Sequence, residues 1–163
     1  SEKGNLVDLH FVRSNPIARS LKVPLKAKIA ISSGDSYILP DWYGIEDQVP
    51  TWNYVAVHLT GELELRPQEE LRDLLDRQSG VFEEQLLPKT PWKTGKMTPD
   101  VLDKMMRQIV PCRMIVTDVD GTWKLSQNKP EPMRLCAADG VEAFGIGSEK
   151  AVLAALMRGA KSR

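Results

Sequence analysis

From Trp52 to Leu65 the chain alternates strictly: Val55, Val57, Leu59, Leu63 and Leu65 fall on one side, and Tyr54, Ala56, His58, Thr60, Glu62 and Glu64 on the other. Successive side chains of a strand point to opposite faces, whereas a helix groups positions three and four apart, so this pattern predicts one long, half-buried strand. The backbone groups of such a strand need partners, which makes a sheet the frame of the fold. Gly61 within the run is expected to mark a bulge or bend.

The remaining elements are read against that strand. Leu6–Val12 has strand character, and Ser14-Asn15-Pro16 supplies a cap and a first-turn proline for a helix from Pro16 to about Lys22. Lys26–Ser32, with Gly34-Asp35 turning it towards Tyr37-Ile38-Leu39, reads as a hairpin. After Pro67 the period becomes helical through Leu71, Leu74, Leu75 and Gln78 into Val81-Phe82, with a break expected at Gly80. A Pro- and Lys-rich connector, Pro88–Gly95, leads to a helix opened by Thr98-Pro99, striped by Leu102, Met105, Met106 and Ile109, and ended by Pro111. Arg113–Val119 reads as a strand turned by Asp120-Gly121 into Thr122–Gln127, the strongest hairpin signal in the chain. From Pro130 a loop is expected until Glu149, followed by a C-terminal helix over about 149–158 carried by Val152, Leu153, Leu156 and Met157. The expected class is mainly β with helices (α+β), an antiparallel sheet closed around its own core, with a helical insertion over about 67–110. At 163 residues, a single domain covering 1–163 is the expectation.

Lys plus Arg and Asp plus Glu both number 22, which argues against a broad basic face for nucleic acid. No helix-turn-helix is visible. No apolar run approaches the span of a bilayer and no basic-then-apolar leader opens the chain, so a cytoplasmic protein with no membrane partner is expected. Cys112 and Cys136 lack metal-type spacing, and His10 and His58 make no metal motif. Hydrolase, zinc-protease, P-loop and dinucleotide-fold signatures are absent.

Two runs carry the chemistry. Val49-Pro50-Thr51-Trp52-Asn53-Tyr54 and Asp120–Lys129 set Trp beside amides, hydroxyls and Lys, residue types that stack on a flat ring and bond its polar edge. They equally suit two strand ends whose Trp anchor the core. Arg13 at a helix start would receive a phosphate, although Ser14-Asn15-Pro16 also suits an ordinary cap. Alternation puts Trp123, Leu125 and Gln127 on one side and Lys124, Ser126 and Asn128 on the other, so both sides cannot face one pocket from a single subunit.

Arg13-Ser14-Asn15-Pro16, Trp42-Tyr43, Val49–Tyr54 and Trp123-Lys124-Leu125-Ser126-Gln127-Asn128-Lys129, in this order and spacing, resemble the PaiB-like family of FMN-binding negative transcriptional regulators. That family belongs to the split β-barrel flavin proteins, which include the pyridoxamine phosphate oxidases. The resemblance spans about Leu6–Lys129 and implies an FMN-binding split β-barrel whose sites are built between two chains, hence a homodimer, with a nicotinamide donor as a candidate reductant. The cofactor contacts it implies are His10, Arg13, Ser14, Asn15, Trp52, Asn53, Lys124, Ser126 and Gln127. Asn53 would meet a flavin carbonyl, and Lys124 and Ser126 the phosphate or the pyrimidine edge. Two departures stand out. Family members normally carry a helix and two strands ahead of this starting point, so a barrel lacking its N-terminal strands is expected. Asn15-Pro16-Ile17 also stands where related oxidases present basic residues to the phosphate. No residue is an obvious acid or base, so the resemblance leaves open a flavin-dependent oxidoreductase, a regulator acting without direct DNA contact, a haem-handling relative and a cofactor-free interaction domain.

Overall fold

The structure, a computed structural model, describes residues 4–162. In chain order the elements are β1 (Leu6–Val12), α1 (Pro16–Ser20), β2 (Leu25–Ile38), β3 (Thr51–Leu65), α2 (Leu71–Glu84), α3 (Pro99–Met106), β4 (Ile109–Lys124), α4 (Glu131–Phe144) and α5 (Lys150–Gly159). Short 3-10 turns lie at Pro40–Tyr43, Gln68–Glu70 and Thr94–Lys96. The four strands form one sheet in the order β1-β4-β3-β2, with β1 and β4 antiparallel from Leu6 opposite Ile115 to Val12 opposite Ile109. An antiparallel sheet with helices is the α+β class expected.

The long strand runs over Thr51–Leu65 as its alternation requires. Both expected hairpins are instead single strands. Gly34-Asp35 lies inside β2 and Asp120-Gly121 inside β4. Gly34 is glycine because of a neighbour: a Cβ there would fall 2.8 Å from the Glu149 carbonyl and 2.8 Å from the Leu153 amide at the start of α5. Gly121 likewise makes room for a ring, since a Cβ would meet the Trp123 indole at 2.2 Å. Two positions apart, the two residues share a strand face, and the small one lets the large one lie flat. At Gly61 a Cβ would fall 2.2 Å from the Ile115 carbonyl, so this glycine too serves close strand approach.

Other boundaries also move. Helix α1 ends at Ser20 rather than near Lys22, and α2 passes through Gly80 unbroken to Glu84. Helix α3 stops at Met106, where Met105 is exposed, and Ile109 opens β4, so the apolar stripe is narrower than expected. Pro111 does not end that helix. It sits buried in β4 opposite His10, and its carbonyl accepts the Arg66 amide at 2.9 Å. The expected loop after Pro130 is the 14-residue helix α4, whose first turn holds Pro132 where a missing N–H is harmless.

The chain forms two compact units, one of residues up to Lys28 with Thr60–Asp118, the other of Ile29–Leu59 with Val119 onwards. The first buries Ala18, Leu21, Leu63, Leu71, Leu74, Leu102, Val110, Cys112 and Met114. Within it the Asp8 carboxylate accepts from Arg113 Nε at 2.6 Å and from Arg77 at 3.2 Å, and Arg66 bonds both Glu64 and Glu70 at 2.8 Å. The Arg113 hydrogen bond, joined by that from Arg77, holds the Asp8 carboxyl below its usual range. Burial pushes the Cys112 thiol up to about 11. The second unit packs Ile38, Tyr43, Val55 and Leu125 with Ala137, Ala138 and Val141 of α4 and Leu153, Ala154 and Met157 of α5. A buried Arg134 secures α5 by donating from Nε to the Met157 carbonyl at 2.9 Å.

Candidate functional site

A cavity of about 420 Å³ lies in the second unit, lined among others by Tyr43, Thr51, Asn53, Trp123, Lys124, Ser126, Gln127 and Lys129. Three features of the chain build it. Asn53 points inward from β3 beside Val55, both buried. The Pro40–Tyr43 turn ends in Gly44 with φ 67° and delivers a buried Tyr43. Strand β4 ends at Lys124, and Ser126 adopts the left-handed region with φ 62°, so the chain folds back at once.

That turn overturns the two-sided reading of this run. Strict alternation stops at Lys124, so Trp123, Lys124, Ser126, Gln127, Asn128 and Lys129 all line one cavity from a single chain. Gln127 reinforces the turn: its Oε1 accepts the Leu125 amide at 2.9 Å and its Nε2 donates to the Trp123 carbonyl at 2.7 Å. Both ends of its amide are thereby used within the turn.

A small buried network lies at the wall. Asn53 Nδ2 donates to Ser126 Oγ at 2.9 Å and contacts Met157 Sδ at 3.6 Å, while Ser126 Oγ and the Tyr43 hydroxyl are 2.7 Å apart. Asn53 Oδ1, in contrast, is buried without a partner. An unsatisfied buried acceptor costs about 1–3 kcal/mol, so its retention asks for an explanation. The free group on Asn53 is its amide oxygen, an acceptor. Nearby charges are cationic. Lys124 Nζ donates to Thr51 Oγ1 at 2.6 Å, and Lys129 Nζ bonds Gln48 Oε1 and lies 5.1 Å from the centre of the Tyr43 ring. Among the described residues no carboxylate lines this cavity.

The other expected contacts lie elsewhere. Trp52 does not line the cavity; it is half exposed and meets Tyr37 edge-on at 6.4 Å. His10, Arg13, Ser14 and Asn15 belong to the first unit, and no described residue of that unit lines the cavity. Arg13 is tied to the Arg107 carbonyl and to Gln68 Oε1, each at 3.0 Å. Asn15 Oδ1 accepts the Ile17 amide at 2.8 Å as the cap of α1, so this turn satisfies its own first N–H groups. His10 keeps a buried, unpartnered Nδ1. Tyr43 and Lys129 had received no role from the sequence, although a buried phenol needs a partner and so signals a polar pocket.

A larger cavity of about 980 Å³ lies in the first unit against α2 and Pro91–Gly95. Several of its polar groups already serve one another: Thr94 donates to Asp76 at 2.8 Å, and Arg77 is bonded to Asp73 and Asp8. The smaller cavity is walled by Asn53, whose amide oxygen lacks a partner, and by two lysines with neutral partners, so it is the better candidate.

Comparison with known proteins agrees with the fold. Over 88% of its length the chain superimposes on the FAD and haem binding protein of Mycobacterium smegmatis, covering 62% of that chain with a TM-score of 0.53 at 13% identity. The fold is thus that of the split-barrel flavin proteins. Residues 1–118 match the family model described as "Putative FMN-binding domain", and the chain belongs to this FMN-binding family, which makes FMN its cofactor. The Bacillus subtilis protein named Protease synthase and sporulation protein PAI 2 is 31% identical over 122 residues, 75% of this chain. An uncharacterized protein of Saccharomyces cerevisiae is 36% identical over 56 residues, 32% of this chain and 33% of its own length. The chain spans 58% of the Bacillus relative. Thr122–Lys129 lie beyond the residues the family model matches.

Proposed function

We propose that the chain acts as one flavin-binding domain whose second unit holds FMN in the 420 Å³ cavity. A flavin requires a flat apolar face, partners for a polar ring edge and a counter-charge for its phosphate. The residues fit: Trp123 offers the face, Asn53 and Ser126 the edge partners, and the lysines the positive charge. The observation that carries the reading is the buried Asn53 Oδ1, an acceptor without a protein partner in a cavity without a carboxylate. The volume lies within the range of small-molecule sites, roughly 300–1,000 Å³. When bound, the flavin supplies redox chemistry, with a nicotinamide donor as the candidate reductant. The chain's own residues bind and orient it.

A homodimer is part of this proposal, with Trp52 and exposed Ile31 in the second unit as surface residues suited to an interface. A regulatory role, implied by the resemblance to the PaiB-like regulators, would act without direct DNA contact, since the net charge is zero. A cytoplasmic site of action fits the same picture, and among the described residues no helix is long and apolar enough to cross a membrane.

The test is the visible spectrum of the purified protein, with mass spectrometry of whatever heat releases. Flavin absorption and released FMN are expected. A colourless protein that takes up no added FMN would remove the proposal, and a Soret band would replace it with haem.

A further inference from the structure

Two glycines at the larger cavity of the first unit lack the usual reasons for being glycine. Gly80 lies inside α2, where glycine is less stable than alanine, yet its φ is not positive and a Cβ there would meet nothing within 4 Å. Gly95, in the Thr94–Lys96 turn, is equally free of neighbours and of a positive φ. Every other glycine has a positive φ or a neighbour within 2.8 Å of the absent Cβ, save Gly159 at the end of α5. Both unexplained glycines line the cavity of about 980 Å³, so what they leave open is cavity and not room for another part of the chain. The opposite wall is fixed: the Trp92 amide donates to Glu83 Oε2 at 2.8 Å, and Thr94 Oγ1 donates to Asp76 Oδ1 at 2.8 Å, which tethers the Trp92 segment to α2. An indole and two positions without side chains in one cavity admit a flat ring close to the backbone. Asp76, Gly80 and Glu84, four residues apart, share one face of α2, so the notch at Gly80 lies between two carboxylates. Thr94 uses one oxygen of Asp76 and leaves the other, and exposed Lys93 adds a donor, so the lining offers partners of both kinds to the edge of a ring.

We propose that this cavity is a second ligand site, for a planar heteroaromatic base with both N–H donors and ring-nitrogen acceptors, stacked on Trp92 and seated in the notch at Gly80. It is separate from the cavity assigned to flavin, since no residue lines both. The two also differ in chemistry, because carboxylates here accept from N–H groups where the other wall presents lysines.

The experiment adds adenosine or cytidine to the full chain and follows the Trp92 indole N–H and the Gly80 amide by NMR, with benzoate, a flat ring without N–H donors, as the control. At least one nucleoside should shift both signals with a dissociation constant on the order of 0.1 mM, the range open to a ligand of that size, and benzoate should not. Gly80→Ala should leave the free protein as stable in thermal melts or more so, since the added methyl meets nothing, and yet weaken the nucleoside about tenfold by filling the notch. Trp92→Phe should keep most of the affinity, and Trp92→Ala should lose about tenfold. Saturating FMN should leave nucleoside binding unchanged. Affinity untouched by Gly80→Ala would overturn the assignment, as would displacement of the nucleoside by FMN. Signals that neither nucleoside moves would overturn it too, and none of these outcomes bears on FMN uptake, which tests the flavin cavity by itself.

Discussion

The first unit and the cavity wall of the second treat charge in different ways. In the first, Asp8 is held by Arg113 and Arg77, and Arg66 by Glu64 and Glu70; the polar groups answer one another across β1, β3, β4 and α2. In the second, the cavity wall keeps two lysines without carboxylates and an amide oxygen without a donor. Ion pairs formed within a chain stabilise its fold modestly and are complete without a ligand. Groups left uncompensated lower stability until something arrives to satisfy them, which is what a binding site requires. On the proposed reading, the second unit is where this protein meets its ligand, and the first serves mainly as framework.

Substitutions can sharpen that division. The largest effect is expected from Asp8→Ala, which strands Arg113 and should lower unfolding free energy by about 2 kcal/mol in urea melts while leaving the FMN Kd unchanged. The same carboxylate gives an acid signature. Because its pKa is depressed in the folded state, its stabilisation is full above the ordinary carboxylate range and drains away as pH falls through the lowered value. Asp8→Asn should flatten that part of the acid-unfolding curve, and an unchanged curve would show that the pair is inert. Next in size, Asn53→Ala should weaken FMN about tenfold in a fluorescence titration, the equivalent of one hydrogen bond to the free Oδ1. Undiminished affinity there would break the comparison at its centre. Tyr43→Phe removes the 2.7 Å contact with Ser126 and should cost about 1 kcal/mol of stability, read from the same urea melts. The smallest effect belongs to Trp52→Ala, expected to change FMN affinity less than about twofold because the indole lies outside the cavity; a loss as large as that of Asn53→Ala would return Trp52 to the site.

What could be read from sequence was decided by periodicity. The 15-residue β3 and the helix α2 announce themselves because burial repeats along them at two and at 3.6 residues. Glycine misled in a consistent way. Gly34 and Gly121 carry the chemistry of turns, yet both stand inside strands because of what approaches them, the first turn of α5 and the Trp123 ring. A sequence shows a missing side chain but not the tertiary neighbour that required its absence. Helix α4 escaped because Pro130 and Pro132 read as loop, although proline in a first turn is equally a helix start. In the site, Asn53, Lys124 and Ser126 were legible from residue type and resemblance. Lys129 was not, since its place over the Tyr43 ring depends on how the chain folds back after β4.

Cys112, wholly buried in β4 with its thiol pushed up to about 11, stays protonated and out of reach at neutral pH, while Cys136 on α4 is exposed. The natural sequence is therefore already a single-site labelling reagent. One equivalent of a maleimide dye should react with the native fold and a second only on unfolding, so thiol counting alone can report how intact the molecule is.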